Sequence, residues 1–223
     1  MPARPPRPAR GFSLIELMVA LTILAFALMM AVPAFTAWLH NVRLRSRGEA
    51  LMQAVEVART EAARRNMLVQ LQLTTSLDNG CTVSTAGPDW VVHLLQDSTG
   101  ASVSAAGACG APLVGRQDIL DSSGAAPVVD DSHSPFLLVK SPAAINNTVT
   151  LNATQSGVVF NALGRSTASA MVHIDLADSS LACLDSSGGG SVRCLRLEIY
   201  PAGLVKLCDP LQTSSSSTLY CPS

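Results

Sequence analysis

The chain has 223 residues, of which 48% are apolar and only 14% charged, with a formal net charge of −1. That length suits one domain with an appendage, and that charge excludes a strongly basic nucleic-acid binder on composition alone. Aromatic residues make up 4%, so any core must rest on aliphatic side chains. The average hides an asymmetry: the first 11 residues hold Arg4, Arg7 and Arg10 and no acid, and the remainder holds 12 basic and 16 acidic residues, a net of −4.

Residues 2–10 read PARPPRPAR, and four prolines in nine positions forbid a helix. Arginines ahead of an apolar segment favour the cytoplasmic side of a membrane. Residues 12–32 then read FSLIELMVALTILAFALMMAV, 21 residues with one charge, Glu16. At 1.5 Å per residue such a helix spans roughly 30 Å, the thickness of a bilayer core. A secretory signal peptide has a shorter apolar stretch and a small-residue cleavage site, and no A-x-A site stands at a usable position here. An ordinary anchor would tolerate Glu16 poorly, since a carboxylate that deep costs roughly 2.5–3.5 kcal/mol on insertion scales. A buried acid of this kind needs a partner.

Gly11-Phe12-Ser13-Leu14-Ile15-Glu16, with a basic leader before it and an apolar helix after it, resembles the class III signal of type IV prepilins. The resemblance implies cleavage between Gly11 and Phe12 by a prepilin peptidase, N-methylation of Phe12, and a role for Glu16 in assembly. In that family the glutamate pairs with the N-terminal amine of a neighbouring subunit. An ammonium and a carboxylate, each costly alone in apolar surroundings, would satisfy one another there.

Pro33 follows the apolar run, where it removes a helical hydrogen bond and is expected to kink the helix. Many pilins carry a proline at that place. Beyond it Leu51, Ala54, Val55, Ala58 and Ala62 recur at helical spacing, with charges at the other positions. The spacing predicts one helix over 12–66, its first half embedded in lipid or filament and its second half amphipathic. From Leu68 the period changes to alternation. Strands are expected at 69–73, 90–94, 136–139, 148–151, 157–160, 170–176, 195–200 and 204–208. Residues 98–134 read as loops with short strands, including a weak segment at 112–120. SSGGGS at 186–191 reads as a flexible loop. The fold class is therefore α+β, a helix joined to a β-rich head. The expected organisation is a leader at 1–11, a membrane and assembly helix at 12–34, its amphipathic continuation at 35–66, and a periplasmic head at 67–223.

The resemblance extends into the head. Residues 43–70, with Arg43-Leu44, Leu51, Ala54, Ala58-Arg59, Glu61-Ala62 and Arg65, look like the corresponding helix of the GspH/FimT group of minor pilins and pseudopilins. Asp89-Trp90-Val91-Val92 resembles that group's G-W-V-V strand, with Asp89 in place of glycine. Phe160-Asn161-Ala162-Leu163-Gly164-Arg165 resembles its F-[DN]-x-x-G-R turn. The segment from Arg193 to Pro210 looks like the closing hairpin of FimT/FimU-type minor pilins. The type IV pilin-like fold follows from this resemblance. So does the function: a minor pilin acting in filament assembly or initiation near the tip, or else a GspH-like minor pseudopilin of a type II secretion system. Expected partners are other pilins or pseudopilins, a prepilin peptidase and the inner membrane, with the N-terminus cytoplasmic.

Six cysteines, all at or after Cys81, allow fifteen pairings. A periplasmic head would form disulfides. Cys194 and Cys208 flank Pro201-Ala202-Gly203 almost symmetrically, so a hairpin is expected to bridge them. Cys81–Cys109 is the local choice for the earlier pair, leaving Cys183–Cys221 to pin the tail. No CxxC occurs, and no histidine stands at zinc-site spacing from a cysteine pair, so no metal and no cofactor is expected.

Asp130-Asp131-Ser132-His133 does not make a catalytic triad, because triad members are seldom sequence neighbours and no nucleophile elbow is present. His40, His93 and His173 are isolated, and P-loop, GxGxxG and HExxH patterns are absent. The chain reads as a non-enzyme. DNA uptake, a task of some FimT-like proteins, is the remaining alternative. Those proteins use a basic Gly-Arg-x-Arg patch, matched here by Gly203-Leu204-Val205-Lys206. Leu204 replaces the first arginine, and Lys206 lacks the bidentate fork of the second. Arg193, Arg196 and Lys206 are the candidate DNA patch, weakened by a net acidic chain.

Overall fold

A computed structural model describes residues 13–97, 99–114, 134–142 and 148–222. It contains one helix, α1 (Leu14–Arg65), and nine strands: β1 (Val69–Thr74), β2 (Ala86–Gly87), β3 (Asp89–Leu94), β4 (Leu137–Lys140), β5 (Val149–Ala153), β6 (Gly157–Phe160), β7 (Val172–Asp178), β8 (Leu195–Ile199) and β9 (Val205–Cys208). The chain divides into two units, Met1–Leu39 and His40–Ser223, with the boundary inside α1. The amphipathic part of the helix therefore belongs to the same unit as the strands.

In the first unit the helix exposes its whole circumference. Leu14, Leu17, Leu21, Leu24, Leu28 and Val32 are all more than half exposed. Its most apolar window has a mean hydropathy of 2.5 and none of it is buried, so the segment is long and apolar enough to cross a membrane. The helix is continuous through Pro33.

In the second unit, Leu44, Leu51, Ala54, Val55, Ala58 and Ala62 form the buried face of α1, as the helical spacing predicts. The helix stops at Asn66, whose φ of 53° is left-handed, and the Met67 amide reaches back to the Ala62 carbonyl at 3.2 Å. That six-to-one closure is a Schellman cap.

The strands form two antiparallel sheets, ordered β4-β3-β1-β6 and β2-β5-β7-β8-β9. One hydrophobic core takes residues from the helix and both sheets, including Leu71, Trp90 and Phe160 from the first and Ile174, Leu176 and Leu197 from the second. The expected strands are all present; β7 begins two residues later than the spacing suggests, and the two-residue β2 carried no sequence signal. Of the weak segment 112–120, residues 115–120 lie outside the described residues and 112–114 form no strand.

β7 alternates buried and half-buried residues along its whole length, as a strand with one covered face should. β3 is buried at every position. Its second face is covered by a chain segment pinned by Cys81–Cys109, so that Val91 and Leu137 pack against Cys81, Ala105 and Cys109. His93 points to that same covered face. Its Nε2 lies 3.1 Å from Gln72 Oε1, which also accepts the Ala105 amide at 2.9 Å. Burial holds the His93 pKa below its ordinary value, against the hydrogen bond to the Leu94 carbonyl, which acts upward.

The disulfides are Cys81–Cys109, Cys183–Cys194 and Cys208–Cys221. The first is the expected pair; Cys194–Cys208 and Cys183–Cys221 are not formed. The cause is the hairpin register. Pro201, Ala202 and Gly203 make a three-residue loop, closed by bonds from Tyr200 N–H to Leu204 O and from Gly203 N–H to Tyr200 O, with Gly203 at φ 88°. Arg196 therefore faces Cys208. Cys194 lies one diagonal step beyond it, about 7–8 Å in an antiparallel pair, past the span a disulfide bridges. Each cysteine instead meets a chain segment beside its own strand, marked by the short bridges Cys183↔Val192 and Asp209↔Tyr220.

Candidate assembly site

Glu16 lies exposed in the first turn of α1. A carboxylate there complements the positive end of the helix dipole. Ser13 precedes the helix, and its carbonyl accepts the Leu17 amide at 3.1 Å. Among the described residues Glu16 makes no ion pair, so its charge is free to meet a group outside the chain. Gly11 and Phe12, where cleavage and methylation are expected, lie outside the described residues, as does the Asp130–His133 run.

The second unit is joined to α1 by polar contacts that sequence spacing could not show. At the start of the unit His40 Nδ1 donates to Asp178 Oδ2 at 2.6 Å, across 138 positions of chain. Asn41 Oδ1 accepts the Arg193 amide at 2.7 Å, next to the Cys183–Cys194 disulfide. Asp178 also accepts the Ser180 hydroxyl at 2.6 Å and the Ser180 and Leu181 amides. Burial alone would raise the Asp178 pKa, but these bonds outweigh it and hold the carboxyl below its ordinary 3.8. A depressed carboxylate stabilises the fold above its unfolded pKa, and that stability is lost as pH falls through the folded value. Stability of the full chain in detergent, followed by denaturant unfolding between about pH 5 and pH 2, is expected to fall with acid; Asp178→Asn should lower stability at neutral pH and flatten that acid limb. An unchanged acid limb in Asp178→Asn would remove this pair from the account.

Further along α1, Arg47 reaches the Pro142 carbonyl at 2.6 Å, the Pro88 carbonyl, and Asp89 Oδ1 at 3.3 Å, and lies 4.7 Å over the Trp90 ring. Asp89 Oδ1 accepts the Ser141 hydroxyl at 2.7 Å as well. The aspartate that departs from the G-W-V-V pattern is thus the acceptor for a helix arginine. Nearer the helix end, Arg59 bonds the Gly164 carbonyl at 3.2 Å and Glu56 at 2.9 Å. Gly203 lies against that same carbonyl; a Cβ on it would come within 2.2 Å of Gly164 O. Two turns far apart in sequence thereby meet on one helix residue, and only glycine fits the second of them.

The candidate DNA patch is not assembled as a free cationic surface. Arg196 forks onto Asp175 with bonds of 2.6 and 3.1 Å, and this carboxylate raises its pKa. Arg193 reaches Asp209 at 3.4 Å. Lys206 lies opposite Glu198 in the β8–β9 register and makes no ion pair among the described residues. Glu198, Cys208 and Cys221 come close enough to suggest a metal cluster, but both sulfurs are spent in one disulfide and offer no thiolate. His93 lies in β3 and His173 in β7.

Residues 6–32 match the model of the prokaryotic N-terminal methylation motif. Residues 47–203, well over half of the chain, match the model described as type II transport protein GspH. The chain belongs to the GspH family. The matched span opens at Arg47 and closes at Gly203, so the Arg47 cluster and the Arg59 contact belong to the GspH module, whereas β9 and Cys208–Cys221 lie beyond it. The chain is similar to the crystal structure of the type IV minor pilin FimU of Pseudomonas aeruginosa, with 17% identity over 79% of this chain and 99% of that one and a TM-score of 0.42. In a second crystal form of FimU the identity is 15% over 76% of this chain and 99% of that one, with a TM-score of 0.40. No curated protein matches the chain. GspH-family membership with a methylation motif ahead of it makes the chain a pilin-type subunit that assembles with others of its kind, carried on a membrane-anchoring helix.

Proposed function

We propose that this chain is a minor pilin of a type IV pilus, a structural subunit of filament assembly or initiation near the tip that works by packing and not by catalysis. The observation that carries this reading is the order of its parts: a prepilin methylation motif at 6–32, then a GspH module at 47–203 that begins within the same helix. The precursor lies in the inner membrane with its arginine-bearing N-terminus in the cytoplasm. Three disulfides suit a periplasmic head. A prepilin peptidase cuts between Gly11 and Phe12 and methylates Phe12. The apolar helix then packs among other pilin helices, and Glu16 neutralises a neighbour's N-terminal amine. DNA binding is disfavoured because Arg196 and Arg193 are already held by Asp175 and Asp209.

The second reading is a minor pseudopilin of a type II secretion system, which the description of the family model favours. A deletion strain separates the two. Loss of pili from the sheared fraction with normal exoprotein secretion supports the pilus. Intact pili with exoproteins trapped in the periplasm assign the chain to secretion. In the complemented strain, Glu16→Ala is expected to give mature-sized protein that is lost from the filament or tip complex by tenfold or more, the effect of about 1.4 kcal/mol or more of lost pairing. Normal incorporation of that variant would sink the pairing mechanism.

A further inference from the structure

β9 is the last strand of its sheet, and among the described residues no named strand pairs with its outer edge. Tyr200 N–H bonds Leu204 O across the hairpin. Bonded and non-bonded pairs alternate in an antiparallel ladder, so Lys206 and Cys208 point their backbone groups at β8 while Val205 and Leu207 point theirs outward. The next outward amide, Asp209, is taken by the Leu219 carbonyl at 2.8 Å. Among the described residues nothing takes those of Val205 and Leu207. Two other sheet edges carry a bond from a neighbouring segment: the Thr167 amide donates to the Val159 carbonyl of β6, and the Val114 amide to the Leu137 carbonyl of β4.

Beside this edge, between β9 and α1, runs a groove of about 450 Å3 whose walls include Met52, Leu195, Val205 and Leu207, with the Arg45–Glu49 and Arg193–Asp209 pairs and Lys206 at its margin. It continues along the helix past Val57 through a second cavity of about 500 Å3 that shares Met52 and Val205. Unpaired donors and acceptors in a row are completed by another strand, and the pleat then decides where its side chains go. Residues opposite Val205 and Leu207 face the groove, and the residue between them lies opposite Lys206. Lys206 has no ion pair among the described residues, and the Glu198 carboxylate across from it in the register accepts the Tyr200 hydroxyl at 2.9 Å.

We propose that the open edge of β9 and its groove form a strand-addition site for an extended segment of a neighbouring subunit, read as apolar–acidic–apolar. The identity of the neighbour rests on the pilin-type reading above; the chemistry of the site does not. The test accordingly uses peptides and not a filament, so failure of the site and failure of the pilin reading give different results. The full chain in detergent is mixed with a capped heptapeptide alternating valine and glutamate, or with its valine and lysine counterpart, and amide hydrogen exchange is followed by residue.

The glutamate peptide is expected to slow exchange at Val205 and Leu207 by about tenfold or more, which corresponds to ~1.4 kcal/mol of pairing. The lysine peptide should not, and Lys206→Glu should reverse the preference. Val205→Pro removes one outward amide at a position where an edge strand accepts proline, so the protein should keep its unfolding midpoint and lose the protection at Leu207. No slowing with millimolar glutamate peptide would overturn the site and leave Lys206 as a device that blunts the edge. Equal slowing by both peptides would overturn the acidic reading. Slowing that rises with the chain's own concentration, without peptide, would assign the edge to a second copy and overturn the proposal.

Discussion

Arg47→Ala is expected to destabilise the His40–Ser223 unit by about 3–5 kcal/mol, the cost of breaking a buried ion pair from one side. The side chains of Arg47 and Asp89 are only 11% and 8% exposed. The guanidinium stacks on the fully buried Trp90 and bonds two proline carbonyls, Pro88 and Pro142, besides the carboxylate. Truncation leaves Asp89 with the Ser141 hydroxyl as its remaining side-chain partner, a charge without compensation. It also removes the cation from the face of Trp90. Arg47→Lys should recover little, since one ammonium nitrogen cannot stand where both Nη1 and Nη2 do, nor lie flat over Trp90. Arg47→Ala with Asp89→Ala should cost clearly less than the two single changes added together. Denaturant unfolding of the full chain in detergent measures all three. A loss below about 1 kcal/mol for Arg47→Ala would place the cluster among ordinary surface pairs.

Removing the Cys81–Cys109 bridge as the double alanine variant is expected to cost about 3–4 kcal/mol from its 28-residue separation, with a further loss from the packing of both side chains. The second face of β3 depends on that segment. Val91 and Leu137 are fully buried under it, and Gln72 and His93 form their hydrogen bonds there. Freed, the segment would expose an apolar strand face, so the variant should also aggregate more readily than wild type. The corresponding Cys208–Cys221 variant closes only 13 residues and should lose somewhat less, about 3 kcal/mol. Comparing unfolding midpoints of the two variants, with and without reductant, tests this ordering. Equal or reversed losses would show that the covering of β3 does not depend on its bridge.

The parts of the molecule legible without coordinates are those specified over a few residues. A period near 3.6 from Leu51 to Ala62 and the strand expected at 170–176 each report one element's burial, because the side chains of a helix or strand repeat with the backbone. The Gly11–Glu16 motif is equally local, and it points to Glu16 as the candidate assembly residue before any fold is known. What depended on tertiary structure is every contact set by register or by the meeting of distant segments. The symmetry of Cys194 and Cys208 about residue 201 suggested a bridge; a three-residue loop with Gly203 left-handed centres the hairpin one residue later, and that single step redirects both sulfurs to other partners. Arg196 reads as a free cation until β7 places Asp175 beside it. His40 finds Asp178 only because the end of β7 is packed against the helix, and the place of β9 at the end of its sheet is known only with the strand order. Local periodicity records how each segment meets solvent, whereas pairing between segments depends on strand register and order, where a shift of one residue changes every partner.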